Sequence, residues 1–331
     1  MDTSSLTSPA VFNKRNIVRL IRMIPGISRA DIVKRLGLST SLVNLYTREL
    51  IEDGWIHSTG KFGDKAGRKT NTLEIKSEIA TFLCVHADVS GFVFRHVDFS
   101  GKTIGGHEVK TASPLNTQGE FLNDLLNSVK GAVEKYQSLK KLDGLVISAD
   151  GQIELSHGIA FKINGIKDWD TISIKNIVSS DMDTDAYVIS SVSSVLYQLM
   201  NDDENENFIM MKIAGDLAFG YVEDNIMVKG GIGTAGELSH LRLDKDGAIC
   251  KCGGKGCLES IEDEALRWKA LKKLLPRLVD KYKVRTVFLW NSNNSINELD
   301  PGIKVFQPDI GSVLTGNGHA AAIKYIYDHI V

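Results

Sequence analysis

Between Lys14 and Met23 the apolar positions Ile17, Leu20 and Ile21 recur at helical spacing, with arginines on the opposite face. Ile24-Pro25-Gly26 ends that helix. Ser28 then reads as the N-cap of a short second helix, with Asp31 at its third position and Ile27 and Ile32 as a hydrophobic staple. This helix runs through Ala30, Val33 and Leu36 and stops at Gly37. Ser39 caps a third helix, whose inner stripe is Val43, Tyr46, Leu50 and Ile51, and Gly54 ends it. The pattern then switches to period two: Trp55–Thr59 and Asn71–Ile75 predict antiparallel strands around the cation-rich loop GKFGDKAGRKT. Two short helices joined by Gly37-Leu38-Ser39 and followed by a hairpin have the form of a winged helix-turn-helix.

After Lys76-Ser77-Glu78 strands and helices alternate. Strands are expected at Thr81–Asp88, Phe92–Asp98, Gly144–Ser148, Ala186–Ile189, Phe208–Ile213, Ala218–Val222 and Thr286–Trp290. Helices are expected at 119–138, 192–200, 260–282 and His319–Ile330. No internal repeat stands out. Such alternation over some 250 residues predicts an α/β body.

Charge sharpens this division. Residues 1–76 carry 13 Lys and Arg against 7 Asp and Glu, whereas the rest of the 331-residue chain carries 26 against 34. A basic head on an acidic body is the electrostatic footprint of nucleic-acid binding. No apolar run approaches the ~18 residues of a membrane span, and Met1–Ala10 lacks the blocks of a signal peptide. A cytoplasmic protein without a membrane partner is therefore expected.

A recognition helix offers its N-terminal polar side chains to base edges in the major groove. The outward positions of the third helix are Thr40, Ser41, Asn44, Leu45 and Arg48. Asn44 suits adenine, Leu45 a thymine methyl, and Arg48 guanine or phosphate. Lys61, Lys65, Arg68 and Lys69 of the wing suit phosphates or the minor groove. Double-stranded DNA is thus the expected partner. Because one head reads only a short half-site, a homodimer or higher homo-oligomer on an inverted-repeat operator is expected with it.

Three of the four cysteines crowd into eight positions, which points to metal rather than disulfides. Cys250, Cys252 and Cys257 form C-x-C-x4-C among glycines, with His240 ten residues upstream. One imidazole and three thiolates make a closed, structural zinc site; free buried thiols are the alternative. Cys84, inside an apolar strand, reads as a packed core thiol.

The same segment, G-x-x-G-x-A-G-E-x-x-H followed by C-x-C-G-x-x-G-C-L-E, resembles the signature of the ROK family of repressors, open reading frames and sugar kinases. RADIVKRLGLS and GRKT in the head resemble its repressor branch. The resemblance implies an actin-like, ribonuclease H-like fold of two α/β lobes with a sugar cleft between them. The head would span residues 1–78 and the body 79–331. A small lobe of about 79–195 would be joined by the C-terminal helix, and a large lobe of about 196–317 would carry the zinc loop. By the same resemblance His240, Cys250, Cys252 and Cys257 are zinc ligands, while Asn164, Glu237 and Glu259 contact a sugar.

The departures are as informative. Where the family has a D-x-G-G-T phosphate loop this chain has Asp88-Val89-Ser90-Gly91-Phe92, and its glycine-rich second loop reads Ala214-Gly215-Asp216-Leu217-Ala218. The catalytic Asn-Asp pair appears as Ser190-Ser191, and serine cannot act as the base. The stretch from Glu259 to Thr286 is short, implying a reduced second lobe. Together these features predict a DNA-binding transcriptional regulator, a repressor of carbohydrate genes with no catalytic residues. Its inactive body would serve dimerisation and sense a sugar or sugar phosphate. A ligand-free dimerisation or protein-interaction scaffold and an active ROK sugar kinase are the competing readings.

Overall fold

The computed structural model describes residues 8–63, 69–137, 141–182, 184–201, 206–213, 217–228, 240–250, 252–284, 286–290 and 303–331. The head opens with α1 (Pro9–Met23), β1 (Ile27–Ser28), α2 (Arg29–Leu36) and α3 (Thr40–Glu52). It closes with the hairpin β2 (Ile56–Gly63) and β3 (Lys69–Ile75). α1 begins earlier than its apolar stripe suggests, because Ser8 accepts from Val11 N at 3.3 Å and Pro9 occupies the first turn, where its missing N–H costs nothing. Ser28 caps α2, accepting from Asp31 N at 3.1 Å and donating to Asp31 Oδ2 at 2.6 Å. Gly37 ends α2 at φ 63°, a left-handed position that favours glycine. Ser39 caps α3, accepting from Leu42 N at 3.3 Å. The two-residue β1 pairs with β3, so the wing is a three-stranded sheet in the order β1-β3-β2.

The first lobe contains β4 (Thr81–Asp88), β5 (Gly91–Asp98), β6 (Thr103–Lys110), α4 (Gln118–Gln137) and β7 (Gly144–Ala149). A small antiparallel sheet follows, from β8 (Gly151–Glu154), β9 (Ile159–Ile163) and β10 (Ile172–Ser173); α5 (Ile174–Met182), β11 (Ala186–Ser190) and α6 (Ser191–Leu199) complete the lobe. The second lobe contains β12 (Phe208–Lys212), β13 (Ala218–Glu223), β14 (Ile226–Met227), α7 (Glu264–Lys272), α8 (Leu275–Tyr282), β15 (Thr286–Trp290) and β16 (Ile303–Phe306). α9 (Ile310–His329) ends the chain.

The main sheets run β11-β7-β4-β5-β6 and β14-β13-β12-β15-β16. In each, three consecutive strands form an antiparallel meander and two later strands add in parallel beside the first. The body therefore duplicates one ribonuclease H-like plan, although the sequence shows no repeat. Several elements depart from expectation: β1, β6, β8, β9, β10, β14, β16 and α5 lie where no element is expected, and two helices have other bounds. The helix expected over 260–282 is broken into α7 and α8, because Pro276 cannot donate within a continuous helix and instead starts the second one. The last helix begins at Ile310, nine residues before the expected His319.

α9 packs along α6 and under the first sheet. A Cβ on Gly316 would meet Ser194 O at 1.8 Å, so only glycine permits this approach. Ser194 Oγ donates to Asn317 Oδ1 at 2.7 Å, and Asn317 Nδ2 donates to Val85 O and Ser148 Oγ, both at 2.9 Å. The head does not swing free of this frame. Its core is continuous with that of α6, α9 and the first sheet. Trp55 of the head packs on Phe99 and Tyr325 at centroid distances of 5.9 and 5.8 Å.

Candidate functional site

The head presents a polar face on α3. Thr40, Ser41, Asn44, Leu45 and Arg48 are all exposed, while Val43, Tyr46 and Leu50 are buried, as the helical period dictates. Ile51 is only half-buried; Thr47 takes a place in the core that the polarity of threonine conceals. Its hydroxyl donates to Val43 O at 2.7 Å and accepts from Arg29 Nε at 2.8 Å, which ties α2 to α3. Lys14 and Glu49 tie α1 to α3 at 2.7 Å. Lys61 and Lys69 lie on β2 and β3, where the register pairs Lys61 with Asn71 and Lys69 with Gly63. Lys65 and Arg68 fall outside the described residues.

The cysteine-rich segment folds as a tight double turn. Cys250 N donates to Gly254 O at 2.7 Å and Gly256 N to Ala248 O at 2.8 Å. Gly256 has φ 67°, and a Cβ there would lie 1.6 Å from Asp244 O, so the turn requires glycine. The donor atoms of His240, Cys250, Cys252 and Cys257 all lie within 4.8 Å of one another and could hold a metal ion. Cys252 and Cys257 Sγ are 3.7 Å apart, far beyond the ~2.05 Å of a disulfide. Cys84 is fully buried, and burial pushes its thiol up to about 12, which leaves it protonated and inert.

Beside this loop a cavity of about 330 Å³ opens between elements of the two lobes. Asn164, Glu259, His240 and Cys252 line it, together with Ser190 and Ser191 at the junction of β11 and α6. Asp150, Lys162 and Lys212 also line it; nothing in their local sequence distinguishes them from surface charges. Glu259 Oε2 stands 3.6 Å from His240 Nδ1, so one wall of the cavity adjoins the His/Cys cluster. Glu237, Ser239 and Asp216 fall outside the described residues. Trp169 turns away into the first-lobe core, donating to Ala160 O at 3.0 Å.

The serine pair is built into a helix start. Ser190 caps α6, accepting from Ser193 N at 3.0 Å. Ser191 is buried, and among the described residues its hydroxyl has no hydrogen-bond partner. At the β4–β5 turn, Asp88 Oδ1 accepts from Ser90 N at 2.6 Å, Ser90 Oγ at 2.5 Å and Gly91 N at 3.2 Å. Phe92 points into the core, edge-on to Phe121 at 6.1 Å.

A ROK family model matches residues 89–299, which include most strands of both main sheets and the cysteine-rich loop. The chain belongs to the ROK family. A winged helix-turn-helix DNA-binding model matches residues 13–57 of this ROK protein, so its head is a DNA-binding module. The chain is 25% identical over 275 residues to the xylose repressor of Caldicellulosiruptor bescii, covering 82% of this chain and 68% of that protein. It is 23% identical over 256 residues to the N-acetylglucosamine repressor of Escherichia coli O157:H7, covering 76% and 63%. A solved ROK family transcriptional regulator, a homolog of the Escherichia coli MLC protein, superimposes with a TM-score of 0.69 at 17% identity, covering 96% of this chain and 97% of that one. The ROK hexokinase of Thermus thermophilus superimposes at 0.58 and 15% identity, covering 74% and 99%. Both likenesses establish the shared two-lobed fold. No helix among the described residues is long and apolar enough to cross a membrane.

Proposed function

We propose that this protein is a cytoplasmic transcriptional repressor of carbohydrate-metabolism genes that binds an inverted-repeat operator as a homodimer. The head would span residues 1–78, and the kinase-like body, 79–331, would serve dimerisation and sugar sensing rather than catalysis. The observation that carries this reading is the joining of two features through one continuous core. A helix with an exposed face of Thr40, Ser41, Asn44, Leu45 and Arg48 belongs to a head whose core runs into a body that has Ser191 at the position the resemblance gives to the catalytic base. The names of the relatives support the sugar connection.

The proposed lack of phosphoryl transfer rests on Ser191, Phe92 and Asp216, the last of which falls outside the described residues. Ser191 has no carboxylate to take a proton from a sugar hydroxyl. The Asp88 carboxylate is engaged by its own turn, and Phe92 is committed to the core. Positioning and charge supply nearly all of phosphoryl-transfer catalysis, so these losses compound.

The metal is proposed to be zinc in a structural role. Tetrahedral bonds of ~2.3 Å to sulfur and ~2.0–2.1 Å to nitrogen set donor–donor edges near ~3.8 Å between sulfurs and ~3.6 Å between nitrogen and sulfur. The cluster has 3.7 Å between Cys252 and Cys257 Sγ and 3.6 Å between Cys250 Sγ and His240 Nδ1. Three thiolates and an imidazole leave no open position for a substrate.

Selection of bound fragments from the source organism's genome, followed by transcript measurement in a deletion strain, tests the functional reading. The expected result is enrichment of fragments sharing an approximate inverted repeat beside carbohydrate genes, whose transcripts rise on deletion. Recovery of no enriched fragment contradicts it.

A further inference from the structure

A second and larger cavity, of about 600 Å³, lies where the three parts of the chain meet. It shares no lining residue with the cavity beside the metal loop. Tyr197 of α6, Met200 just past its end and Tyr327 of α9 line one side. The first lobe adds Tyr187 of β11, the second adds Ile226 and Met227 of β14, and the head adds Arg19 of α1. The volume lies within the ~300–1,000 Å³ of small-molecule sites, and neither the DNA-reading face nor the metal loop uses it.

Among the described residues, every charged side chain on this lining is already engaged. Lys324 lies 2.9 Å from Asp185 and 2.5 Å from Asp328, and Lys175 lies 3.5 Å from Asp185. Arg19 donates to Asn225 O. A charged ligand has to compete with these pairings; a neutral one leaves them intact. The lining also offers three phenol rings and two thioethers. Aromatic rings attract one another edge to face, and thioether sulfur packs favourably on ring edges, so these walls suit an aromatic ring better than an aliphatic one. The hydroxyl oxygens of Tyr187 and Tyr197 are 3.3 Å apart. That contact uses one of the two phenolic hydrogens, so the pair keeps one to donate. Burial, reinforced by Tyr197, raises the Tyr187 pKa well above its ordinary value and keeps its proton in place.

We propose that this junction cavity binds a neutral aromatic molecule bearing a hydrogen-bond acceptor, with the ring against the tyrosines and methionines and the acceptor on the Tyr187–Tyr197 pair. The ligand would touch the head and both lobes at once. This goes beyond the repressor reading, which gives the junction no ligand, and it does not depend on sugar sensing.

Ligand-observed NMR titration of the full-length, metal-loaded protein tests this. The probes are acetophenone, cyclohexyl methyl ketone, benzoate and benzylamine. Acetophenone is expected to bind at least about threefold more tightly than the cyclohexyl ketone, the scale of one aromatic contact, and more tightly than either charged probe. Ile226 is 47% exposed at the rim, so Ile226→Trp is expected to cover the mouth and abolish acetophenone binding with an unchanged melting profile. Tyr187→Phe combined with Tyr197→Phe keeps both rings but removes the donor, and is expected to weaken acetophenone several-fold. Three results overturn the proposal: the cyclohexyl ketone or a charged probe binding as tightly as acetophenone, undiminished binding by either folded variant, or no probe binding. The comparison among probes needs only the unaltered protein, so it decides the matter even where a variant fails to fold. Operator binding by the same samples keeps such a failure distinct from failure of the DNA-binding reading.

Discussion

Arg48 and Asn44 share the exposed face of α3, one helical turn apart, with Thr47 between them turned inward onto Val43 O and Arg29. That inward turn fixes the roll of α3, so the face is presented rather than free to rotate. If Arg48 reads a base, Arg48→Ala is expected to cost ~1–3 kcal/mol of operator affinity and to relax preference at one base pair. Titration against a set of operators with single substitutions measures both. An even loss across all sequences would instead assign Arg48 to phosphate. At this scale the sequence is informative where the chemistry is local. The caps at Ser28 and Ser39 and the stop at Gly37 are visible because a serine or glycine acts within three residues of itself. Thr47 is not, because its burial depends on an arginine 18 positions away. Nor is the burial of the Ser191 hydroxyl, which has no hydrogen-bond partner among the described residues.

Among the elements, β4, β5, β7, β11, β12, β13 and β15 and most helices follow from their apolar periods, whereas the edge strands β6, β14 and β16, the small sheet β8–β10 and α5 do not. The first half of α9 is Gly-rich, with Gly311, Gly316 and Gly318, so it shows no apolar stripe. Those small residues are what let it lie against α6, with Gly316 on Ser194. The metal loop is legible from spacing alone because closely spaced ligands leave few arrangements. Its mechanical role is not, since the contact of His240 with Glu259 appears only in the fold. If the loop needs its ion, chelation or Cys252→Ser is expected to lower the melting temperature of the body by several degrees while leaving isolated α3 contacts unchanged. Elemental analysis is expected to give about one zinc per chain, as one four-coordinate site requires. Metal-free protein with an unaltered melting profile would refute the structural assignment.

Across the whole molecule, the head is fastened to the body by buried polar contacts as well as by the Trp55 seam. Arg22 Nε donates to Phe99 O at 2.8 Å, and Arg22 Nη1 lies 2.6 Å from His319 Nδ1. Arg19 donates to Asn225 O at 2.5 Å, and Arg15 to Ile330 O at 3.0 Å and Tyr327 O at 2.7 Å. The arginines opposite the apolar stripe of α1 are therefore partly structural, so the basic charge of the head overstates its DNA-facing surface. Burial, reinforced by the Arg22 charge, holds the His319 pKa well below its ordinary 6.5. Folded His319 stays neutral while the unfolded chain takes up a proton as pH falls through 6.5. The stability it supports is whole above that value and is lost progressively below it. One pH unit below, the loss is about 1.4 kcal/mol. His86 is shifted in the same direction, chiefly by burial, and adds to the trend. His319→Gln is therefore expected to show a smaller drop in melting temperature between about pH 7.5 and 5.5 than the parent chain. An equal drop would assign the acid sensitivity elsewhere.

The central claim is that this kinase-like body carries a sequence-specific DNA reader, and an anisotropy titration of the full-length protein tests it most directly. The selected operator and a scrambled duplex of equal length would be compared across a range of salt concentrations. Binding to both is expected to weaken steeply with salt as phosphate counterions are displaced, with the operator ~10³-fold or more tighter throughout. Equal affinity for the two duplexes, or no salt-dependent binding to either, would contradict the account.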